Sequence, residues 1–148
     1  MSNSLLSTAV SVIIPAYNEA DRIVATVATA GALSGVVEVI VVDDGSSDET
    51  ATIAKAAGAT VVSQPRNQGK AAAMEAGAKA AKGDPLLFLD ADLGATASEA
   101  HVLLPPVLSG EAEMSIAMFP VIPGRGGGMG VVVRLSRSGI RRATGQTM

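Results

Sequence analysis

The chain has 148 residues, a formal charge of -3 and 48% hydrophobic residues, enough to bury one sizeable core and too apolar for a disordered chain. Aromatic residues make up only 2%, with Tyr17, Phe88 and Phe119 as the whole set, so no stacking platform for single-stranded nucleic acid can be assembled. The acidic balance offers no general attraction to polyanions, and the absence of Cys removes disulfides and thiolate metal sites.

The first residues, Met1-Ser2-Asn3-Ser4, lack a basic leader segment, and no apolar stretch is long enough to span a bilayer. A cytoplasmic location is expected. Residues 10–14 read as a first strand that stops at Pro15, and Asn18 is placed to cap a helix running through Ile23, Val24, Val27 and Leu33. Residues 36–42 form a second strand, apolar except for Glu38, as when both faces of a sheet are covered. Ser46 followed by Glu49 has the spacing of a capping box for a helix containing Ile53 and Ala57 and closed by Gly58.

Residues 59–62 give a short third strand, and the Ala-rich segment 70–82 a helix ended by Gly83. Residues 86–89 are the fourth strand. Ser98 is placed to cap a further helix broken at Pro105-Pro106, and residues 114–118 are a fifth strand. Beyond them lie a Gly-rich loop and a helical segment around residues 131–142, a stretch with five arginines and no acid from Gly124 onward. On a helix, Arg134, Arg137 and Arg141 would share a face, which allows contact with an anionic acceptor such as a lipid phosphate, or with a membrane surface. A solvated basic face is the plainer reading. Strands alternating with helices predict an α/β domain with a mainly parallel sheet over residues 1–122, followed by a basic tail over residues 123–148.

The chemistry gathers at strand ends. Asp90-Ala91-Asp92 follows the apolar run 86–89, and Asp43-Asp44 ends the second strand in the same way. Two carboxylates one residue apart suit a hard divalent cation, and the carboxyl ends of parallel strands are where open α/β sheets bind ligands. Taken alone, Asp43-Asp44-Gly45-Ser46 reads better as a strand-to-helix turn, and only the other motifs turn the balance to binding. Other nucleotide signatures fail: Gln64 stands where a P-loop before Gly69-Lys70 needs Gly, and the glycines after Gly124 miss the G-x-G-x-x-G spacing.

Three stretches, Val12 to Glu19, Val41 to Asp48 and Phe88 to Asp92, with Asn67-Gln68-Gly69-Lys70 between the last two, resemble family-2 glycosyltransferases of the GT-A fold. The resemblance covers roughly the first two-thirds of the chain. It implies a Rossmann-like three-layer sandwich and sugar transfer, inverting or retaining, from a UDP- or GDP-linked hexose with Mg2+ or Mn2+. Pro15, Ala16 and Tyr17 would lie against base and ribose, and Glu19 would accept from a ribose hydroxyl. Asp44 would accept the ring N–H of uracil or guanine beside the backbone of Val42, and Lys70 would neutralise phosphate. Asp90 would meet ribose or metal, Ala91 would offer backbone, and Asp92, last of this DXD motif, would be the principal metal ligand.

The acceptor-binding half of family members has no counterpart before Met148, so the chain is expected to be truncated and to self-associate through uncovered apolar surface, residues 129–133 included. No catalytic base is assigned. Glu111 and Glu113 come too early for it, and His101 follows Asp92 too closely to match a distant metal-binding His. A non-catalytic nucleotide-sugar-binding module that needs a partner stays open beside the enzyme. A nucleotidyltransferase does not fit, because Pro15-Ala16-Tyr17-Asn18-Glu19 is neither Gly-rich nor basic.

Overall fold

The computed structural model describes residues 8–118 and the backbone of residues 135–136. Its elements are β1 (Val10–Ala16), α1 (Ile23–Gly31), β2 (Val36–Asp43), α2 (Thr50–Ala56), β3 (Thr60–Ser63), α3 (Lys70–Ala80) and β4 (Leu86–Phe88). A 3-10 segment (Gly94–Leu103), α4 (Leu104–Leu108), β5 (Met114–Ser115) and β6 (Leu135–Ser136) follow. The sheet order is β3-β2-β1-β4-β6-β5. The first four strands run parallel, and β6 pairs antiparallel with both β4 and β5.

Strand periodicity sorts the apolar residues into two layers. Val12, Ile14, Val39, Val41 and Leu87 face α1, the 3-10 segment and α4, packing with Ile23, Val27, Leu103, Leu104 and Val107. Ile13, Ile40, Val42, Leu86 and Phe88 turn to the other face and meet α3 through Ala73. The result is the expected α/β three-layer sandwich. Gly77 explains how α3 sits so low: a Cβ there would lie 2.4 Å from Ile13 Cγ2 and 3.0 Å from Val42 Cγ2. The helix tolerates this glycine because it buys close approach to the sheet.

At the amino ends of the strands the one acid inside β2 finds its partners. Glu38 Oε1 accepts from Ser11 Oγ at 2.5 Å and from the Lys82 amide at 2.6 Å, while the Gly83 amide donates to Ser11 Oγ at 2.8 Å. This knot ties β1, β2 and the α3–β4 turn together. Among the described residues no helix is long and apolar enough to cross a membrane.

Several expected boundaries are corrected. Asn18 does not cap α1; the helix starts at Ile23, and Asn18 sits in left-handed backbone at φ 52° with its side chain turned to Ser47. The Ser46/Glu49 capping box does not form either, since Ser46 Oγ accepts the Asn18 amide instead. In both cases a cross-loop bond wins over the local one. Pro105-Pro106 opens α4 rather than breaking a helix, because a first turn needs no donor from those nitrogens. The preceding stretch is 3-10, with no side-chain cap from Ser98.

The fifth strand is only Met114–Ser115, and Leu135–Ser136, expected as helix, is strand β6. That strand satisfies the edge of β4 that β1 leaves open. The boundary at residues 122–123, the apolar run 129–133, and Arg134, Arg137 and Arg141 lie outside the described residues.

Candidate functional site

The carboxyl ends of β1, β2 and β4 open onto one rim. The Asp44 amide donates to Ala16 O at 2.9 Å and the Leu89 amide to Ile13 O at 3.0 Å, so the segments leaving the three strands start side by side. Asp43 uses Oδ1 to accept the Ser46 amide at 3.1 Å, turning the chain. Gly45, at φ 74°, lets the backbone of residues 66–67 pass so close that a Cβ would lie 2.5 Å from Arg66 C.

Asp44, only 4% exposed, spends one oxygen on the Gln68 amide at 2.8 Å and the other on the Gly69 amide at 3.0 Å. Two backbone donors are a strong reason for a carboxylate to be buried here. They pin the loop ahead of α3, and the first residue of that helix is Lys70. Its Nζ makes a short charge-assisted hydrogen bond to Asp90 Oδ1. Thus Asp44, Gln68-Gly69, Lys70 and Asp90 form one connected line along the rim.

A second line reaches Asp92. Arg22 NH1 lies 3.9 Å from Asp92 Oδ2, and Arg22 Nε lies 3.0 Å from Glu19 Oε2. The Nε–H is not aimed along that line, so this buried oxygen keeps no hydrogen-bond donor. Ala91, buried between the two acids, is held by its carbonyl, which accepts from Thr26 Oγ1 at 2.7 Å; the same hydroxyl accepts the Gly94 amide at 2.8 Å. One buried threonine of α1 therefore sets the shape of the acidic loop.

The rim thus carries two lines, Asp44 to Asp90 by way of Gln68-Gly69-Lys70 and Glu19 to Asp92 by way of Arg22, which meet through the backbone at Ala91. Tyr17, at 48% exposed, stands at its mouth just beyond Pro15 and Ala16. Val42 is fully buried with its side chain under α3, leaving only its backbone for a ligand. His101 is exposed on the 3-10 segment, its Nδ1 2.8 Å from Ser98 O. Glu111 and Glu113 lie on the turn before β5.

Sequence reasoning missed Arg22 and Thr26, and it passed over Asp48 and Thr50, which hold the Tyr17 loop from across the rim. Thr26 left one trace, a hydroxyl falling on the apolar stripe of α1 and buried there. Arg22 left none.

Carboxylate oxygens are the ligand type that hard divalent cations take. Asp90 and Asp92 each lie beside a cationic side chain, so positive charge already completes the site at both carboxylates. Among the described residues no group of three or more His, Cys, Asp or Glu gathers. Two carboxylates from the protein, with phosphate and water oxygens supplying the rest, is the usual manner of holding Mg2+ and not of building a closed protein cage.

The chain is similar in sequence and fold to known proteins. The sequence profile of Glycosyl transferase family 2 matches residues 11–146. An undecaprenyl-phosphate 4-deoxy-4-formamido-L-arabinose transferase of Edwardsiella ictaluri is 42% identical over 94 residues, covering 57% of this chain and 29% of that protein. A glucosyl-3-phosphoglycerate synthase of Mycolicibacterium smegmatis is 42% identical over 93 residues, covering 57% and 31%. This chain therefore spans under a third of the length of these curated relatives.

Among solved structures, glucosyl-3-phosphoglycerate synthase of Mycobacterium tuberculosis with Mn2+, UDP-glucose and phosphoglyceric acid superposes at a TM-score of 0.62. The identity is 34%, with 72% of this chain and 41% of that chain covered. The same enzyme with phosphoglyceric acid superposes at 0.72, with 28% identity and 90% and 58% covered. With the profile matched over most of its length and the neighbours sharing its sandwich, the chain belongs to glycosyl transferase family 2.

Proposed function

We propose that this chain is the donor-binding part of a metal-dependent glycosyltransferase that moves a hexose from UDP or GDP to a phosphate-bearing acceptor. The observation that carries the reading is the rim itself: Asp90 and Asp92 flanked by Lys70 and Arg22, directly beside the Glu19 loop. Base and ribose would rest against Pro15, Ala16 and Tyr17. The ribose hydroxyl would donate to the Glu19 carboxylate. Asp44 would take the base N–H on its remaining lone pairs, next to the Val42 backbone, since both its oxygens already accept loop amides.

Asp90 and Asp92 would hold Mg2+ or Mn2+, with Ala91 offering backbone. Bound there, the cation would offset the negative charge that develops on the diphosphate leaving group. Lys70, freed from Asp90, would add its own charge to the same phosphates. The uridine donor is favoured by the UDP and UDP-glucose bound to the solved relative. A phosphate-bearing acceptor is favoured by the names of both curated relatives and by the five arginines after Gly124. A lipid phosphate would draw the protein to a membrane surface, and a soluble one would leave it in the cytoplasm.

Calorimetric titration with UDP-glucose and GDP-mannose, with and without Mn2+, tests the reading. Metal-dependent binding that Asp92→Asn abolishes is expected; binding indifferent to both metal and Asp92 would reject the site. A second reading is a nucleotide-sugar-binding module that does not itself catalyse transfer. In it the chain holds the donor while a partner supplies acceptor site and base. Donor binding without hydrolysis or transfer by the purified chain selects that alternative.

A further inference from the structure

The loop that follows β1 is braced from outside itself. Three successive amides leave it and end on side chains of one short segment. The Asn18 amide donates to Ser46 Oγ at 2.9 Å, the Glu19 amide to Thr50 Oγ1 at 2.9 Å, and the Ala20 amide to Asp48 Oδ2 at 3.2 Å. The link is reciprocal, since Asn18 Oδ1 accepts from the Ser47 amide at 2.9 Å and from its hydroxyl at 3.2 Å. Asn18 is the one non-glycine residue with positive φ among those described, a backbone state that persists only where surrounding bonds impose it.

Asp48 is the hub. While Oδ2 takes the Ala20 amide, Oδ1 accepts from both the Thr50 amide and the Thr50 hydroxyl. A hydroxyl that has given its proton to Asp48 presents only lone pairs, and one of these receives the Glu19 amide. The carboxylate thus fixes the rotor that fixes the loop. These bonds hold its charged form, and the Thr50 hydroxyl is the largest influence lowering its pKa.

We propose that Asp48, acting through Thr50, is a positioning residue that presets the backbone carrying Tyr17 and Glu19 for the nucleotide. Asp48 is an exposed residue on a surface turn and fills no part of the core. Its effect is therefore on the pose of the neighbouring loop and hardly on whether the chain folds. The inference rests on the donor-site reading for its consequence in binding, but not for the brace itself.

The chain carries its own reporter, because Tyr17 is its single tyrosine and there is no tryptophan. Fluorescence anisotropy decay of Tyr17 in the free protein reads the loop directly. Asp48→Ala is expected to add a fast anisotropy decay and to weaken Mn2+-dependent UDP binding about tenfold, the scale of one lost charge-assisted bond. Thr50→Val, which removes the hydroxyl, should act alike, and Thr50→Ser should restore both quantities to within about twofold of the parent chain. Unchanged anisotropy in Asp48→Ala overturns the brace, as does a Thr50→Ser chain as impaired as Thr50→Val. Failure of the parent chain to bind either UDP or GDP would reject the donor site, and the anisotropy of Asp48→Ala would then decide the brace alone.

Discussion

At the scale of single residues, three acids of the rim, Glu19, Asp90 and Asp92, lie against two cations far apart in the sequence. Arg22 lies beside both Glu19 and Asp92, and Lys70 is bonded to Asp90. A divalent cation arriving at Asp92 has to take the place of Arg22, whose guanidinium is more than half exposed and 3.9 Å away. Exposed ion pairs of this kind are worth about 0.2–1 kcal/mol. Arg22→Gln should therefore tighten Mn2+ binding to the nucleotide-free protein, by at most about fivefold, measured by Mn2+ electron paramagnetic resonance. Weaker binding in that variant would mean that Arg22 supports the cation instead of competing with it. The acids themselves were legible in the sequence, since a carboxylate at the end of an apolar run has few structural reasons to be there. Arg22, Thr26 and Asp48 were not, because each acts on a partner brought near only by the fold, up to 70 positions away for Arg22 and Asp92.

At the scale of elements, the strands were readable because burial on both faces calls for continuous apolar runs, and β1, β2 and β4 lie within two residues of the expected limits. What failed were ends and short pieces. Asn18 and Ser46 looked like caps, but each found a partner in the other's loop. Strand β6 has two residues and no period to detect, and it exists because β4 has an open edge. Glu38 broke the pattern of β2 and turns out to lock the opposite end of the sheet.

Burial works against the charged form of Glu38. The Ser11 hydroxyl, the Lys82 and Gly83 amides and the Lys82 charge outweigh it, holding its carboxyl below its ordinary value of 4.5. A carboxylate with a lowered folded pKa adds stability that is complete above its unfolded pKa and is lost as pH falls through the folded one. Glu38→Gln should thus destabilise the protein at pH 7, and the gap in urea midpoint between parent and variant should shrink as pH drops below about 4.5. A gap constant from pH 7 to pH 3 would remove Glu38 from the acid sensitivity.

At the scale of the whole molecule, the sheet ends, among the described residues, in two edges of different character. At one, β3 reads Thr60-Val61-Val62-Ser63, with polar residues at both ends. At the other, β5 leads into a run from Met114 to Met118 that contains no charge. In that run Met114, Ile116 and Met118 alternate as exposed side chains, Met118 at 91%, with the residues between them half-buried. Alternation of this kind puts all three on one side of an extended segment. An uncharged edge with an apolar outer face is the template along which strands of two molecules pair, and native edges usually carry a lysine or a bulge there. Neither is present between residues 114 and 118, and a net charge of -3 on 148 residues gives little repulsion to oppose contact. Light scattering across a range of concentrations should therefore show the mean mass climbing above that of a monomer. Ile116→Lys should return it to the monomer value without lowering the melting temperature, since Ile116 is 43% exposed and contributes little to the core. A parent chain that stays monomeric at every concentration would show that this edge is already protected, and the lysine would then change nothing.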